Sequence, residues 1–546
     1  MVKNLLDLLS TRQTSILSGA SIIASTLLIS KILGLVRDRL LAHLFTPDVM
    51  AVFFAAFGLT DFVFQLLIFG ALSVAFIPVF TDWLETKGKD EAFKLAAALL
   101  NCSMLLFLVV AIFIYIFAPV LVGLFIAPGF SEQQRLQTAE LTRIIIFGQI
   151  LLIVGTFFMS TLQSFQRFII PAIAGIFYNL GIIIGIVILS DKFGIAGAAW
   201  GVVIGAALHI LIQLPFVAAV GFNWSSLKTI FHPGVREVWQ LISVRSIGLA
   251  AELINERVVF ALATLITTSS ATYLTLAQRL QVAPIGLFGA TIAQAALPIL
   301  SSERARGRID EFKATLLTTL HQILFLALPA TAILVVLRIP AVRLVFGASQ
   351  FDWEATVITG ATLAWLAVGL SAQAVSLLLV RAFYALKDTK TPVMVSLITV
   401  LVNISLSIYF TNFLKLDVWS LGIALSISNI LSALLLFIML HKKVGGFMTR
   451  AVLNPLLKML MATVIMGAAL YIPIKLLDQV IFDTTKTVNL VILTMLASIF
   501  ALSIYVLLVW FMKVRELYTF IELLKKVGKI QNKIKSEEIV HEPETP

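Results

Sequence analysis

Long apolar runs recur along the whole chain, separated by short polar segments. Each run holds about 20 residues or more, and at 1.5 Å per residue such a helix crosses a hydrocarbon core of about 30 Å. The pattern predicts helices roughly at 16–42, 49–82, 92–127, 139–165, 169–190, 195–221, 236–267, 271–299, 315–338, 355–386, 391–412, 418–441, 454–475 and 487–512. The fold class expected is therefore all-α, a polytopic membrane protein of about fourteen transmembrane helices. No predicted loop exceeds about 20 residues, which leaves no room for a soluble domain of catalytic size.

Composition agrees with the pattern. Of 546 residues, 60% are hydrophobic and 13% charged, whereas a soluble protein is about half apolar and about a quarter charged. The formal net charge of +11 does not indicate nucleic acid, because Arg and Lys fall in short loops and the C-terminal tail. With the N-terminus placed inside, the loops predicted inside are the basic ones, among them those holding Lys87, Lys89 and Lys94, then Arg304, Arg306 and Arg308, then Lys442, Lys443 and Arg450. The alternate loops are poorer in positive charge, which is positive-inside topology. An even helix count brings the basic tail inside as well. The stretch before Gly19 lacks a signal-peptide pattern, so the first apolar run is expected as a retained helix. A single cysteine, Cys102, and six scattered histidines provide no intrachain disulfide and no metal-ligand spacing. No cofactor is expected.

The chain also repeats itself. Phe69-Gly70-Ala71 recurs as Phe288-Gly289-Ala290, Pro78 as Pro298, and the loop Asp90-Glu91-Ala92-Phe93-Lys94 as Asp310-Glu311-Phe312-Lys313. The offset is about 220 residues, or about six helices, and both copies begin inside, so the repeats are parallel. This predicts an N-terminal lobe at 1–222, a C-terminal lobe at 223–445, two extra helices at 446–512 and a basic tail at 513–546. Repeated halves in a membrane point to alternating access, with substrate held between lobes. Residues 513–537 of the tail read as an amphipathic helix, expected on the anionic inner leaflet.

Charges inside apolar helices are costly unless they face a polar cavity or a partner. Eleven stand out: Lys31, Arg37, Asp38 and Arg39 in helix 1, Asp61 in helix 2, Arg245, Glu252, Glu256 and Arg257 in helix 7, Arg279 in helix 8 and Arg381 in helix 10. Seven are positive and four negative, which suits an anionic cargo group. Guanidinium binds phosphate oxygens bidentately. The plainer reading is internal pairing or snorkelling. It is the better one for Arg39 near a membrane edge, and it competes for Arg37 with Asp38 and for Arg257 with Glu252 or Glu256. The candidate substrate-binding set is Lys31, Arg37, Asp38, Asp61, Arg245, Arg257 and Arg279.

Several stretches resemble the MurJ/MviN lipid II flippase family, of the multidrug/oligosaccharidyl-lipid/polysaccharide exporter superfamily. They are Ser30-Lys31-Ile32-Leu33-Gly34-Leu35-Val36-Arg37-Asp38, the helix 2 ending at Gly70-Ala71 with Ser73 and Pro78, Arg167-Phe168 with Pro171, Ala277-Gln278-Arg279-Leu280 with Pro284, and Tyr384-Ala385-Leu386-Lys387-Asp388-Thr389-Lys390-Thr391-Pro392. The resemblance implies an undecaprenyl-pyrophosphate-linked substrate, lipid II, in the bacterial cytoplasmic (inner) membrane. It also implies a V-shaped pair of six-helix lobes, with helices 13 and 14 lining a groove for the lipid tail. By position, the family's cavity arginines fall on Lys31, Arg37 and Arg279. Helix 2 departs from the family pattern: Ala51 stands where an Asp is usual, Phe64, Gln65 and Phe69 where an Arg pair and a Glu are usual, and Asp61 where an Asn is usual.

The expected function is therefore flipping of a lipid-linked cell-wall precursor. A flippase for another polyprenyl-linked oligosaccharide keeps the same cationic cavity. A cation-coupled drug exporter would need an acidic or aromatic one. A membrane glycosyltransferase would need acidic pairs on sizeable outer loops, and Asp352 with Glu354 in one short loop is a poor candidate. The expected partners are the lipid-linked substrate and membrane lipids, with the coupling ion left open.

Overall fold

The computed structural model describes residues 16–66, 76–222, 232–477 and 486–522. Its regular structure is helical, and the one β feature among the described residues is an isolated bridge between Ala348 and Phe351. The long helices are α1 (Ile16–Leu44), α2 (Pro47–Phe64), α3 (Lys89–Leu121), α4 (Glu132–Ser164), α5 (Ile169–Ile184), α6 (Ala196–Leu211), α7 (Pro233–Ile266), α8 (Thr268–Pro284), α9 (Ile309–Val336), α10 (Trp353–Val368 and Leu370–Ala385), α11 (Lys390–Ile408), α12 (Trp419–Lys443), α13 (Thr449–Leu477) and α14 (Thr487–Phe511). Eleven spans among the described residues are long and apolar enough to cross a membrane, or twelve with the bent α10 pair counted as one. The chain is a multi-pass membrane protein. Helices α1 and α7, of 29 and 34 residues, are also long enough to cross. They are the two richest in the charges noted above, four in each.

The continuous helix predicted at 355–386 is broken instead, bent by 42° between Val368 and Leu370. The cause is local. The Gly369 amide donates to Ser426 Oγ at 2.9 Å on α12, and a Cβ at Gly369 would lie 2.8 Å from Ser426 Cα. Closeness of the neighbouring helix thus requires glycine, and the backbone donor turns sideways to meet it. The predicted helix 49–82 is described as α2 and Ile77–Thr86, while residues 67–75, with the Phe69-Gly70-Ala71 copy of the repeat, lie outside the described residues. Its counterpart forms a π-helical turn, Ile285–Ala290, directly after Pro284, which has no N–H for the ladder.

Two compact units are present. The first comprises Met1–Ala277, Val345–Thr362 and Ser396–Ala424, and the second Gln278–Leu344, Leu363–Val395 and Leu425–Pro546. In the first, α4 packs on α2, α3 and α6. Phe76 lies 5.2 Å from Phe80 and 5.7 Å from Phe157, ring centre to ring centre. Helices α5 and α6 meet backbone to backbone. A Cβ on Gly181 would lie 2.2 Å from Gly205 Cα, and one on Gly185 would lie 2.3 Å from Gly201 Cα. Small residues in register permit such approach, and dispersion then holds the helices without a hydrophobic drive. Helix α7 is anchored at both ends within this unit. The His232 ring packs at a tilt 4.7 Å from Trp83, and Gly129 N donates to Thr264 Oγ1 at 3.3 Å.

The core of the second unit is built around Leu316, Leu320 and Phe325 of α9 and Tyr505 of α14. The buried Tyr505 hydroxyl donates to Phe325 O at 3.0 Å, which satisfies its polar tip while the ring fills the interior. The start of the tail packs on this unit. Val514 and Leu517 are 2% and 4% exposed and belong to this core. Glu516 reaches His321 on α9, Oε1 to Nδ1 3.3 Å, and the Phe520 ring lies 6.1 Å from that of Phe325. An amphipathic helix needs one apolar partner, and here its first turns have found a protein one. Residues 523–537 of that predicted helix lie outside the described residues.

Candidate functional site: a cationic network on α1, α5 and α7

Ser30, Gly34, Arg37 and Asp38 follow helical spacing along one side of α1, and that side packs on α5. Arg37 bonds Asp38 Oδ1 through both Nε and NH2, each at 3.0 Å. Its NH1 donates to Asn179 Oδ1 on α5 at 3.3 Å. The Asn179 amide in turn donates to Ser30 Oγ at 3.1 Å, Ser30 O at 3.3 Å and Gly175 O at 3.2 Å. Asp38 is 1% exposed and the Arg37 side chain 14%, so the cation is the member that keeps an open edge. Three of its five N–H donors are engaged in these bonds, leaving two for a further acceptor. Those two suit an oxyanion, for which charge-assisted bonds are about twice as strong as neutral ones.

Helix α2 adds Asp61, whose Oδ2 accepts from Gln65 Nε2 at 2.5 Å. Arg37 and Asp61 both lie within electrostatic reach of the Tyr178 hydroxyl on α5. One turn before Asp61, on the same side of α2, stands Gly58. The Arg257 guanidinium of α7 rests against it so closely that a Cβ at Gly58 would lie 2.3 Å from NH1. Arg257 pairs with Glu256, 2.9 Å, and not with Glu252. Its Nε is buried without a hydrogen-bond partner.

The remaining candidates divide. Lys31 is exposed and has no hydrogen-bond or ion-pair partner among the described residues. Arg279 is half-buried on α8 in the second unit and is engaged by a neighbour. The following turn of α8 is tied to α10 by Gln281 Nε2 donating to Leu366 O at 2.7 Å. The Arg245 side chain lies outside the described residues. Arg39 donates to Val345 O at 3.4 Å, a helix-end anchor in keeping with its expected structural role. Asp352 caps α10, its Oδ1 accepting from Ala355 N at 2.8 Å. Among the described residues no group of three or more His, Cys, Asp or Glu is placed to hold a metal ion. The sequence reading did not single out Asn179, Tyr178 or Gly58. A lone Asn in an otherwise apolar span was the available signal for the first. No local signal marks Gly58.

A helical multi-pass membrane protein with a partly open guanidinium held by polar groups from two spans has the features of a transporter for anionic cargo. The family described as lipid II flippase MurJ matches residues 41–488, and the chain belongs to that family. It is 29% identical over 494 residues to the probable lipid II flippase MurJ of Bdellovibrio bacteriovorus, covering 88% of this chain and 91% of the relative. Against the probable lipid II flippase MurJ of Rhizobium meliloti it is 28% identical over 454 residues, 82% of this chain and 84% of that one. Its fold resembles a solved lipid II flippase MurJ in an inward closed conformation, with a TM-score of 0.73 at 24% identity over 88% of this chain and 98% of that one. An inward-facing multidrug resistance MATE family transporter shares the fold at a TM-score of 0.64 and 14% identity, over 76% of this chain and 94% of that one.

Proposed function

We propose that this protein flips lipid II across the bacterial cytoplasmic membrane by alternating access, with both termini inside and no catalytic step. The observation that carries the reading is Arg37, fixed by Asp38 and Asn179 with two donors left over, in a chain of the lipid II flippase family. In this reading Lys31, Arg37 and Arg279 attract the pyrophosphate, and Asp38 and Asp61 orient and balance the cations. The lobes are 1–222 and 223–445, and residues 446–512 form the groove for the polyprenyl tail. Rocking of repeated halves about a fixed site then moves the headgroup across. The test is depletion rescue in a cell lacking its own lipid II flippase, read by accumulation of inward-facing lipid II. Restored growth with outward delivery supports the reading. Failure to rescue by a well-expressed protein, with transport of another polyprenyl-linked oligosaccharide in its place, sinks it.

A further inference from the structure

Arg257 is more strained chemically than Arg37. A guanidinium carries five donors and no acceptor, and each needs an oxygen when buried. For Arg257 the partner is Glu256 on NH2, and Nε is buried with none. A buried donor left unmade is unfavourable by more than a made bond is favourable. Yet the local packing holds the group where it is. Gly58 on α2 leaves a slot that any other side chain would fill, and NH1 lies in it. Glu256 is itself half exposed, with its side chain 51% accessible, so it screens the cation from solvent poorly and does not bury it in a closed pair. Asp61 and Gln65 continue the same side of α2. The group is thus held by packing and under-supplied with acceptors, on the side of α2 that carries the polar groups near Arg37.

We propose that Arg257, seated in the Gly58 slot, is a second phosphate-binding residue, whose free N–H edge takes an oxygen of the pyrophosphate in the lipid-linked substrate. The inference rests on the flippase reading above and adds a residue on α7 to the one on α1. Gly58 is then a positioning residue, because a methyl group there drives the guanidinium off α2. Glu256 is a placeholder acceptor that competes with the ligand.

The test uses purified full-length protein in nanodiscs, with undecaprenyl pyrophosphate in one arm and free inorganic pyrophosphate in the other. Binding and melting temperature are measured for wild type, Arg257→Ala, Arg257→Lys, Gly58→Ala and Glu256→Gln. Expected is about a tenfold loss of affinity in Arg257→Ala, by the same factor in both arms, because the contact is to phosphate oxygens. Arg257→Lys and Gly58→Ala fall between that variant and wild type. Glu256→Gln binds as tightly as wild type or tighter, since a competing carboxylate has gone. A merely structural ion pair predicts the opposite for that variant, a weakening that parallels Arg257→Ala. That result overturns the inference, as does wild-type affinity in Arg257→Ala, or a loss confined to the lipid-linked arm. If wild type binds neither probe, the flippase reading fails with it. If wild type binds both and Arg257→Ala binds equally, only the role of Arg257 is lost.

Discussion

Two buried side-chain pairs, one in each unit, show how differently this chain uses charged groups. Arg37 with Asp38 on α1 leaves the cation 14% exposed and two of its donors open. His321 with Glu516 in the second unit is closed on both sides, with side chains 7% and 9% exposed. The other two polar atoms, His321 Nε2 and Glu516 Oε2, are buried without a hydrogen-bond partner. Burial raises the Glu516 pKa, but the bond to His321 outweighs it and holds the carboxyl below its ordinary value. The first pair keeps donors open, and in the reading proposed above they meet the substrate. The second joins the segment after α14 to α9. A buried pair is therefore read by which member keeps unused donors at an open edge, not by depth alone.

Arg279 is the sharpest way to break this division, because it lies in the second unit and is assigned to transport. Arg279→Ala should abolish depletion rescue at near-normal membrane levels, through loss of a phosphate contact of about 1.5–3 kcal/mol. Normal rescue by that variant returns the second unit to a purely architectural role. Next is Glu516→Ala, which should lower stability by about 2 kcal/mol through loss of a charge-assisted bond, while flipping per folded molecule stays unchanged. Thermal unfolding in detergent beside a per-molecule flipping assay separates the two effects. Unchanged melting would mean that the tail does not depend on the pair. Truncation before Val514 should destabilise further, since Val514 and Leu517 leave the core as well.

Arg37→Lys should slow flipping by about tenfold, equivalent to about 1.4 kcal/mol. It keeps a charge beside Asp38, so the fold holds, but it loses the planar fork. Equal rates for Lys and Arg would show that charge alone serves there. The smallest effect concerns Asp388 in the turn between α10 and α11. It caps α11 by accepting from Thr391 N at 3.0 Å and pairs with Lys443 of α12. Burial raises its pKa, but the bonds from Lys443 and Thr391 outweigh it and bring it down to about 2. A carboxyl depressed on folding adds stability above its ordinary value of about 3.9 and loses it as pH falls towards the depressed one. Melting followed between about pH 5 and about pH 2 should fall less steeply in Asp388→Asn than in wild type. Equal slopes would remove Asp388 from the account.

Much of this was legible in the sequence, and the gaps have physical causes. Helical periodicity and run length located the spans, and the cost of burying charge pointed to α1 and α7 before any coordinates. The Arg37–Asp38 pair was readable because its members are adjacent. The Asn179 contact was not, because it joins residues 142 apart and a single Asn carries no periodic signal. Gly58 was hidden for the same reason, since its neighbour Arg257 comes from a helix far along the chain. Nothing in the apolar run 355–386 marks a break at Gly369, which comes from the approach of Ser426 on another helix. The packing of Val514 and Leu517 was not legible because an amphipathic face reads the same whether a membrane or a protein interior receives it.

The glycine contact of α5 with α6 sets a manufacturing tolerance for the transport machinery. Asn179, which aims Arg37, sits two residues before Gly181, whose missing methyl lets the two backbones touch. At these glycines the two backbones touch with no side chain between them, so the helices behave there as one bolted strut. The smallest possible enlargement there, glycine to alanine, must push the strut apart and swing the amide that aims the guanidinium. Random mutagenesis should therefore find this uncharged seam as intolerant as the charged residues it serves, although nothing in it will ever touch the cargo.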